Sequence, residues 1–228
     1  MHKADPAKNV LSSPNIAVFD QFALEYDRWF IENSFAYLSE TEAIRRFIPD
    51  SGLGVEIGAG TGRFSIPFGI RIGIEPSEEM ARIAQSRGIS IARAVAEELP
   101  FVDHTIDYIL MVTTICFLTD LPAAFTEIHR VLKPGSLLII GFIDGESPLG
   151  KKYELLKGTS RFYKGATFYS ASQVMNNLSE AGFSDFQICQ TIFTDPGNMS
   201  SCDPVQEGHG KGGFAVISCV REMPDCKT

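Results

Sequence analysis

The stretch Val55-Glu56-Ile57-Gly58-Ala59-Gly60-Thr61-Gly62 decides the fold of this chain. A short apolar run, Gly54–Gly58, reads as a buried strand and breaks directly into a loop with glycine at 58, 60 and 62. Glycine there permits a tight turn and lets a ligand lie against the main chain. Spacing then separates the ligand classes. The P-loop that cradles nucleotide phosphates needs G-x-x-x-x-G-K-[ST], which is absent. The dinucleotide fingerprint G-x-G-x-x-G needs glycine at position 63 or 65, where the chain has Arg63 and Ser65. The missing glycine is the one that allows close helix–strand packing, so a nicotinamide-dependent oxidoreductase stands only as an alternative.

Outward from this loop, apolar runs at Arg71–Glu75, Ile89–Ala94, Ile106–Val112 and Leu137–Ile143 alternate with helical patterns. The crossover after the loop has only residues 63–70, with Pro67 and Gly69 inside, so its helix must be short. Ser77 is placed to cap a helix whose first turn carries Glu78 and Glu79, where negative charge is favoured, and Gly88 closes it. A further helix spans about Leu121–Leu132 and stops at Pro134-Gly135. Before the loop, Phe19, Phe22, Ala23, Tyr26, Trp29 and Phe30 recur at helical spacing, and a second helix runs from about Phe35 to Phe47. Past residue 145 the pattern changes: helices at Gly150–Lys157 and Ser172–Ala181, then alternating strands at Phe186–Phe193 and Gly213–Val220. The expected fold is α/β: a Rossmann-like, doubly wound, mostly parallel seven-stranded sheet with an antiparallel C-terminal hairpin, N-terminal helices and a small helical cap insertion at about 145–170. One domain over 16–223 is expected, with 1–15 loosely packed or disordered and 224–228 frayed.

The ordered segments resemble one family. Glu56-Ile57-Gly58-Ala59-Gly60-Thr61-Gly62 is similar to motif I of the class I methyltransferases that use S-adenosylmethionine (SAM). Ile72-Gly73-Ile74-Glu75-Pro76-Ser77, Ala96-Glu97-Glu98-Leu99-Pro100-Phe101 and Glu127-Ile128-His129-Arg130-Val131-Leu132-Lys133-Pro134-Gly135 follow in the family's order. Tyr26-Asp27-Arg28-Trp29 resembles the N-terminal segment of small-molecule methyltransferases of the type 11 and ubiquinone-biosynthesis kind. Two positions depart from the pattern: Ser136 replaces a glycine, and Val95 stands where the family often has aspartate before the alanine. The resemblance implies that SAM lies on Gly58, Ala59, Gly60, Thr61 and Gly62, with Glu75 on the ribose hydroxyls. It also implies contacts from Tyr26, Glu56, Pro76, Ala96, Glu97 and Thr113. Glu56 has a second reading, as a brace of the loop, and Glu97 as a solvated charge.

Methyl transfer from a sulfonium is an in-line displacement, so the protein mainly positions the acceptor. A general base is needed only where the acceptor must lose a proton. No catalytic dyad is therefore expected; Tyr26, Thr113 and His209 are the weak candidates. His209 lies in the glycine-dense Glu207–Gly213 segment of a long loop, 194–212, able to cover a substrate. Phe162, Tyr163, Phe168 and Tyr169 are placed to shape an apolar pocket or to pack the cap. The net charge of −8 argues against nucleic acid as partner, because phosphate binding needs a basic face. A small-molecule methyl acceptor is expected instead. Five cysteines without C-x-x-C spacing predict reduced thiols in a cytoplasmic protein with no metal site. No apolar run is long enough to span a membrane. Two further alternatives are a SAM-binding module whose catalysis has lapsed and methylation of a metalloid by Cys116, Cys189 and Cys202.

Overall fold

The structure, a computed structural model, describes residues 14–223. Expectations for residues 1–13 and 224–228 lie outside the described residues. In chain order the helices are α1 (Pro14–Glu32), α2 (Ser34–Arg45), α3 (Glu78–Ser86), α4 (Leu121–Val131), α5 (Pro148–Leu156) and α6 (Ala171–Glu180). The strands are β1 (Gly54–Ile57), β2 (Ile72–Ile74), β3 (Ser90–Ala92), β4 (Ile106–Val112), β5 (Leu132–Ile143), β6 (Phe183–Thr191), β7 (Gln206–Glu207) and β8 (Phe214–Arg221).

They form one mixed sheet in the order β3-β2-β1-β4-β5-β8-β6-β7. The pairs from β3 to β5 are parallel; β8 runs antiparallel between β5 and β6. The eighth strand, beyond the expected seven, is the two-residue β7 inside the long 194–212 loop. Residues 14 and 15, expected to be loose, start α1.

The apolar runs have no polar alternation because both sheet faces are covered. Along β4, Ile109 and Met111 face the core beneath α4 and α6, while Tyr108, Leu110 and Val112 face the core that includes Phe30, Ala36, Ala43 and Ile44 of α1 and α2. The crossover between β1 and β2 shrinks to a single 3-10 turn, Ile66–Phe68, with Pro67 inside and Gly69 left-handed at its end. Ser77 caps α3 as its sequence predicts, its hydroxyl accepting from the Met80 N–H. α1 bends at Phe22, where φ is −122° and ψ 26°, and the Arg161 guanidinium lies 4.2 Å from the Phe22 ring centre.

The 194–212 loop is pinned, not free. The Asp203 carboxylate accepts from the Phe193 and Thr194 N–H groups, the Asp203 N–H donates to Ser39 of α2, and Arg46 donates to the Val205 carbonyl. Its glycine-rich end is held by buried Gln190, whose side-chain oxygen accepts from the Lys211 and Gly212 N–H groups. Among the described residues no helix is long and apolar enough to cross a membrane.

Candidate active site

The carboxyl ends of β1, β2 and β4 open onto a cleft. Ligands of open parallel sheets bind at this end of the strands. Gly58 and Gly60 form its floor. Gly58 has φ of +70° and donates its N–H to the Ile74 carbonyl at 2.8 Å. A Cβ at Gly58 would overlap the Thr114 side chain, whereas one at Gly60 would meet only the Tyr26 ring, 3.7 Å away across the cleft. Gly58→Ala therefore combines a left-handed backbone with a steric clash and is expected to lower stability by about 2 kcal/mol. Chemical denaturation would measure that loss, and an unchanged midpoint would refute the account.

Glu75 stands at the end of β2 with its carboxylate buried in the cleft wall. One oxygen accepts from the Gly60 N–H and the other from the Ser77 N–H, both at 2.8 Å. Each carboxylate oxygen has a further lone pair to offer. Burial pushes the carboxyl up to about 7, against the lowering effect of these two bonds. Pro76, Ala96, Glu97 and Thr113 also line the cleft, as does Tyr26 from α1. Val95, the departure from the family pattern, lines it as well.

Glu56, Ala59, Thr61 and Gly62 do not line the cleft. Glu56 lies on β1 with Val55 and Ile57, and alternation sends it to the other sheet face. There its buried carboxyl accepts from the Ser65 hydroxyl, and burial pushes it up to about 8. Thr61 donates to Asp27 at 2.6 Å. Asp27 also receives both arms of Arg63 and of Arg87, at 2.6–2.8 Å. Arg87 in turn donates to the Thr61 carbonyl. Burial pushes the Asp27 carboxyl up, but the bonds from Arg87, Arg63 and Thr61 prevail and hold it well below the usual carboxylate range. This clamp joins α1, the glycine loop and the end of α3.

The remaining family segments form a second brace. Glu127 accepts from the Leu99 N–H, and Arg130 donates to the Leu99 and Phe101 carbonyls. They hold the loop from Ala96 to Phe101 against the sheet. Glu97 accepts from the Thr119 and Asp120 N–H groups, joining that loop to the start of α4. Its carboxylate is thus partly committed.

A second cavity adjoins the first. Phe19, Tyr26, Thr113 and Phe117 line both. Tyr26 is edge-on to Phe19, Phe30 and Phe162, and burial raises its phenol far above the ordinary value, with the Thr113 side chain opposing the rise. Thr113 has φ of +50°, a strained backbone for a β-branched residue. The 145–170 segment contributes Leu149, Tyr153, Phe162 and Tyr163 to the second cavity. Phe168 packs behind Tyr163.

His209 lines neither cavity. Its Nδ1 points at Asp144, 3.9 Å away, beyond hydrogen-bond reach. Cys116, Cys189 and Cys202 do not converge: the Cys116 thiol faces the Thr113 carbonyl and Cys189 that of Ala43, and among the described residues no group of histidine, cysteine or acid could hold a metal. Sequence reasoning missed Asn15, Phe19 and Thr119 in the first cleft and Glu40 and Tyr153 in the second. For Glu40 a signal existed. It falls on the buried stripe of α2 with Ala36, Ala43 and Ile44, where a charged residue is out of place.

A family model for a methyltransferase domain matches residues 55–140. An uncharacterized protein of Methanocaldococcus jannaschii is 48% identical over 204 residues, which is 90% of this chain and 98% of that one. A crystal structure from Thermotoga maritima, a SAM-dependent methyltransferase and possible histamine N-methyltransferase, is 48% identical with a TM-score of 0.88, covering 90% of this chain and 99% of its own. Phosphoethanolamine N-methyltransferase 2 of Haemonchus contortus, solved with S-adenosyl-L-methionine, shares the fold at 17% identity, with a TM-score of 0.63 over 90% of this chain and 57% of that one. The chain belongs to the class I SAM-dependent methyltransferases, and SAM is its cofactor.

Proposed function

We propose that this chain holds SAM in the first cleft and methylates a small molecule held in the second cavity. The observation that carries this reading is the wall the two cavities share, at Phe19, Tyr26, Thr113 and Phe117. When bound, SAM supplies a methyl group on a positively charged sulfur: the acceptor's lone pair bonds the carbon while the carbon–sulfur pair stays on sulfur. The residues present fit such a ligand. Glu75 keeps lone pairs for two ribose hydroxyls. The main chain at Gly58 and Gly60 leaves room for the amino-acid end. Val95, Ala96, Pro76 and Glu97 line a place for adenine without a lysine cradle, which a ligand lacking phosphate does not need. Glu56 acts through Ser65 as a brace of the loop. Tyr26 and Thr113 flank the passage between donor and acceptor and position both. The aromatic side chains that line the second cavity limit water at the sulfonium.

Thermal melts with S-adenosylhomocysteine, followed by a transfer assay on small-molecule acceptors, test the reading. At 100 times its Kd the ligand adds about 2.7 kcal/mol, a rise of roughly 5–10 °C for a domain of this size. Stabilisation by NAD but not by S-adenosylhomocysteine would overturn the proposal. Binding without transfer to any acceptor would favour a SAM-binding module instead.

A further inference from the structure

Among the described residues three glutamates are buried, and two of them have their donors. Glu56 has the Ser65 hydroxyl, and Glu75 has the Gly60 and Ser77 N–H groups. Glu40 is 5% exposed and lines the second cavity, yet among the described residues its carboxyl has no hydrogen-bond or ion-pair partner. Its buried neighbours on α2 are satisfied: Ser39 donates to the Phe35 carbonyl and Thr41 to that of Tyr37. Glu40 opens onto the cavity, and a buried carboxyl with no protein partner costs free energy until water or a ligand meets it.

The rest of the cavity says which ligand. Trp29, Phe30, Tyr153, Phe162 and Tyr163 surround the space Glu40 faces, and among the described residues no lysine or arginine lines it. Ring faces carry negative potential and attract a cation, and such cages with a carboxylate nearby are suited to ammonium groups. An anion would meet Glu40 and the ring faces with like sign. A neutral alcohol could take a hydrogen bond but would not exploit the charge.

We propose that the acceptor is a small organic amine anchored by its ammonium, which pairs with Glu40 inside this aromatic cage; the protonated nitrogen has no lone pair to give, so the methyl goes to another atom of the molecule. The proposal rests on the methyl-transfer reading and adds the class of acceptor and the residue that selects it. In the free protein burial pushes the Glu40 carboxyl up to about 8, and its charge adds to the burial that raises the Tyr26, Tyr153 and Tyr163 phenols. A cation in the cage favours the ionised form of Glu40 and brings its carboxyl back down.

Calorimetry on the S-adenosylhomocysteine complex tests this with three matched pairs: butylamine and butanol, phenethylamine and 2-phenylethanol, tryptamine and tryptophol. At least one amine is expected to bind 10-fold or more tightly than its alcohol, and Glu40→Gln to erase that preference. The variant should keep the S-adenosylhomocysteine affinity of the wild type, since Glu40 lies outside the first cleft. Equal binding of amine and alcohol, no amine binding at all, or an amine preference that survives Glu40→Gln would each overturn the proposal. Wild-type protein that fails to bind S-adenosylhomocysteine would instead sink the methyl-transfer reading beneath it.

Discussion

Asp27→Ala is expected to destabilise the protein by about 3–5 kcal/mol, the range for removing one partner from a buried charge network. Asp27 is the shared acceptor of Arg63, Arg87 and the Thr61 hydroxyl, and its side chain is only 13% exposed. Truncation leaves two guanidinium groups, 22% and 24% exposed, facing each other with no anion between them. Like charges at that distance repel, and water reaches them poorly. For a chain of this size the loss corresponds to a fall in Tm of roughly 10 °C. Restoring a neutral acceptor in Asp27→Asn should recover part of it. The double variant Arg63→Ala, Arg87→Ala should cost less than the sum of its singles, because the three residues act as one unit. A melt of Asp27→Ala within 2 °C of wild type would show that the clamp is only a surface arrangement.

That clamp marks where the sequence was legible. The strand–loop pattern at Gly54–Gly62, the Ser77 cap and the order of β1 to β5 are local or nearest-neighbour properties, and all could be read from spacing. The clamp joins Asp27 to residues 34, 36 and 60 positions away. Nothing local in Tyr26-Asp27-Arg28-Trp29 states that distance. Glu56 and Glu75 show the same limit more sharply. Both are glutamates at strand ends beside the loop. Only the alternation along β1, which turns Glu56 to Ser65, and the extra reach past β2, which turns Glu75 to Gly60, tells them apart. His209 is a weak candidate in the sequence, on the ground that glycine-dense loops are usually free to move. Its loop is fixed by Asp203 and Gln190, acceptors contributed by a β7-side turn and by β6, which composition does not reveal. Glu40, in contrast, was readable as a charged residue on an apolar helical stripe.

Glu75→Ala is expected to weaken SAM binding at least 10-fold if one ribose hydroxyl loses a charged acceptor worth about 1.5–3 kcal/mol, and more than 100-fold if both do. The wild-type affinity should also depend on pH, with a sign that follows from the shift. Burial raises the Glu75 carboxyl from 4.5 to about 7 in the free protein; Asp20 adds to the rise, while Arg93 and the two backbone bonds oppose it. Folding therefore favours the protonated form, and the free protein loses stability as pH rises from about 4.5 through 7. The ligand favours the opposite form, because only the carboxylate can accept from both hydroxyls. Binding should then release a proton below pH 7, and affinity should climb between pH 6 and 8 and level off above. Glu75→Gln keeps one acceptor oxygen and cannot ionise, so its affinity should be low and flat across that range. Calorimetry in buffers of different ionisation enthalpy reads both the affinity and the proton released. An affinity slope that persists in Glu75→Gln would assign the proton to another group, and unchanged affinity in Glu75→Ala would remove Glu75 from the ribose altogether.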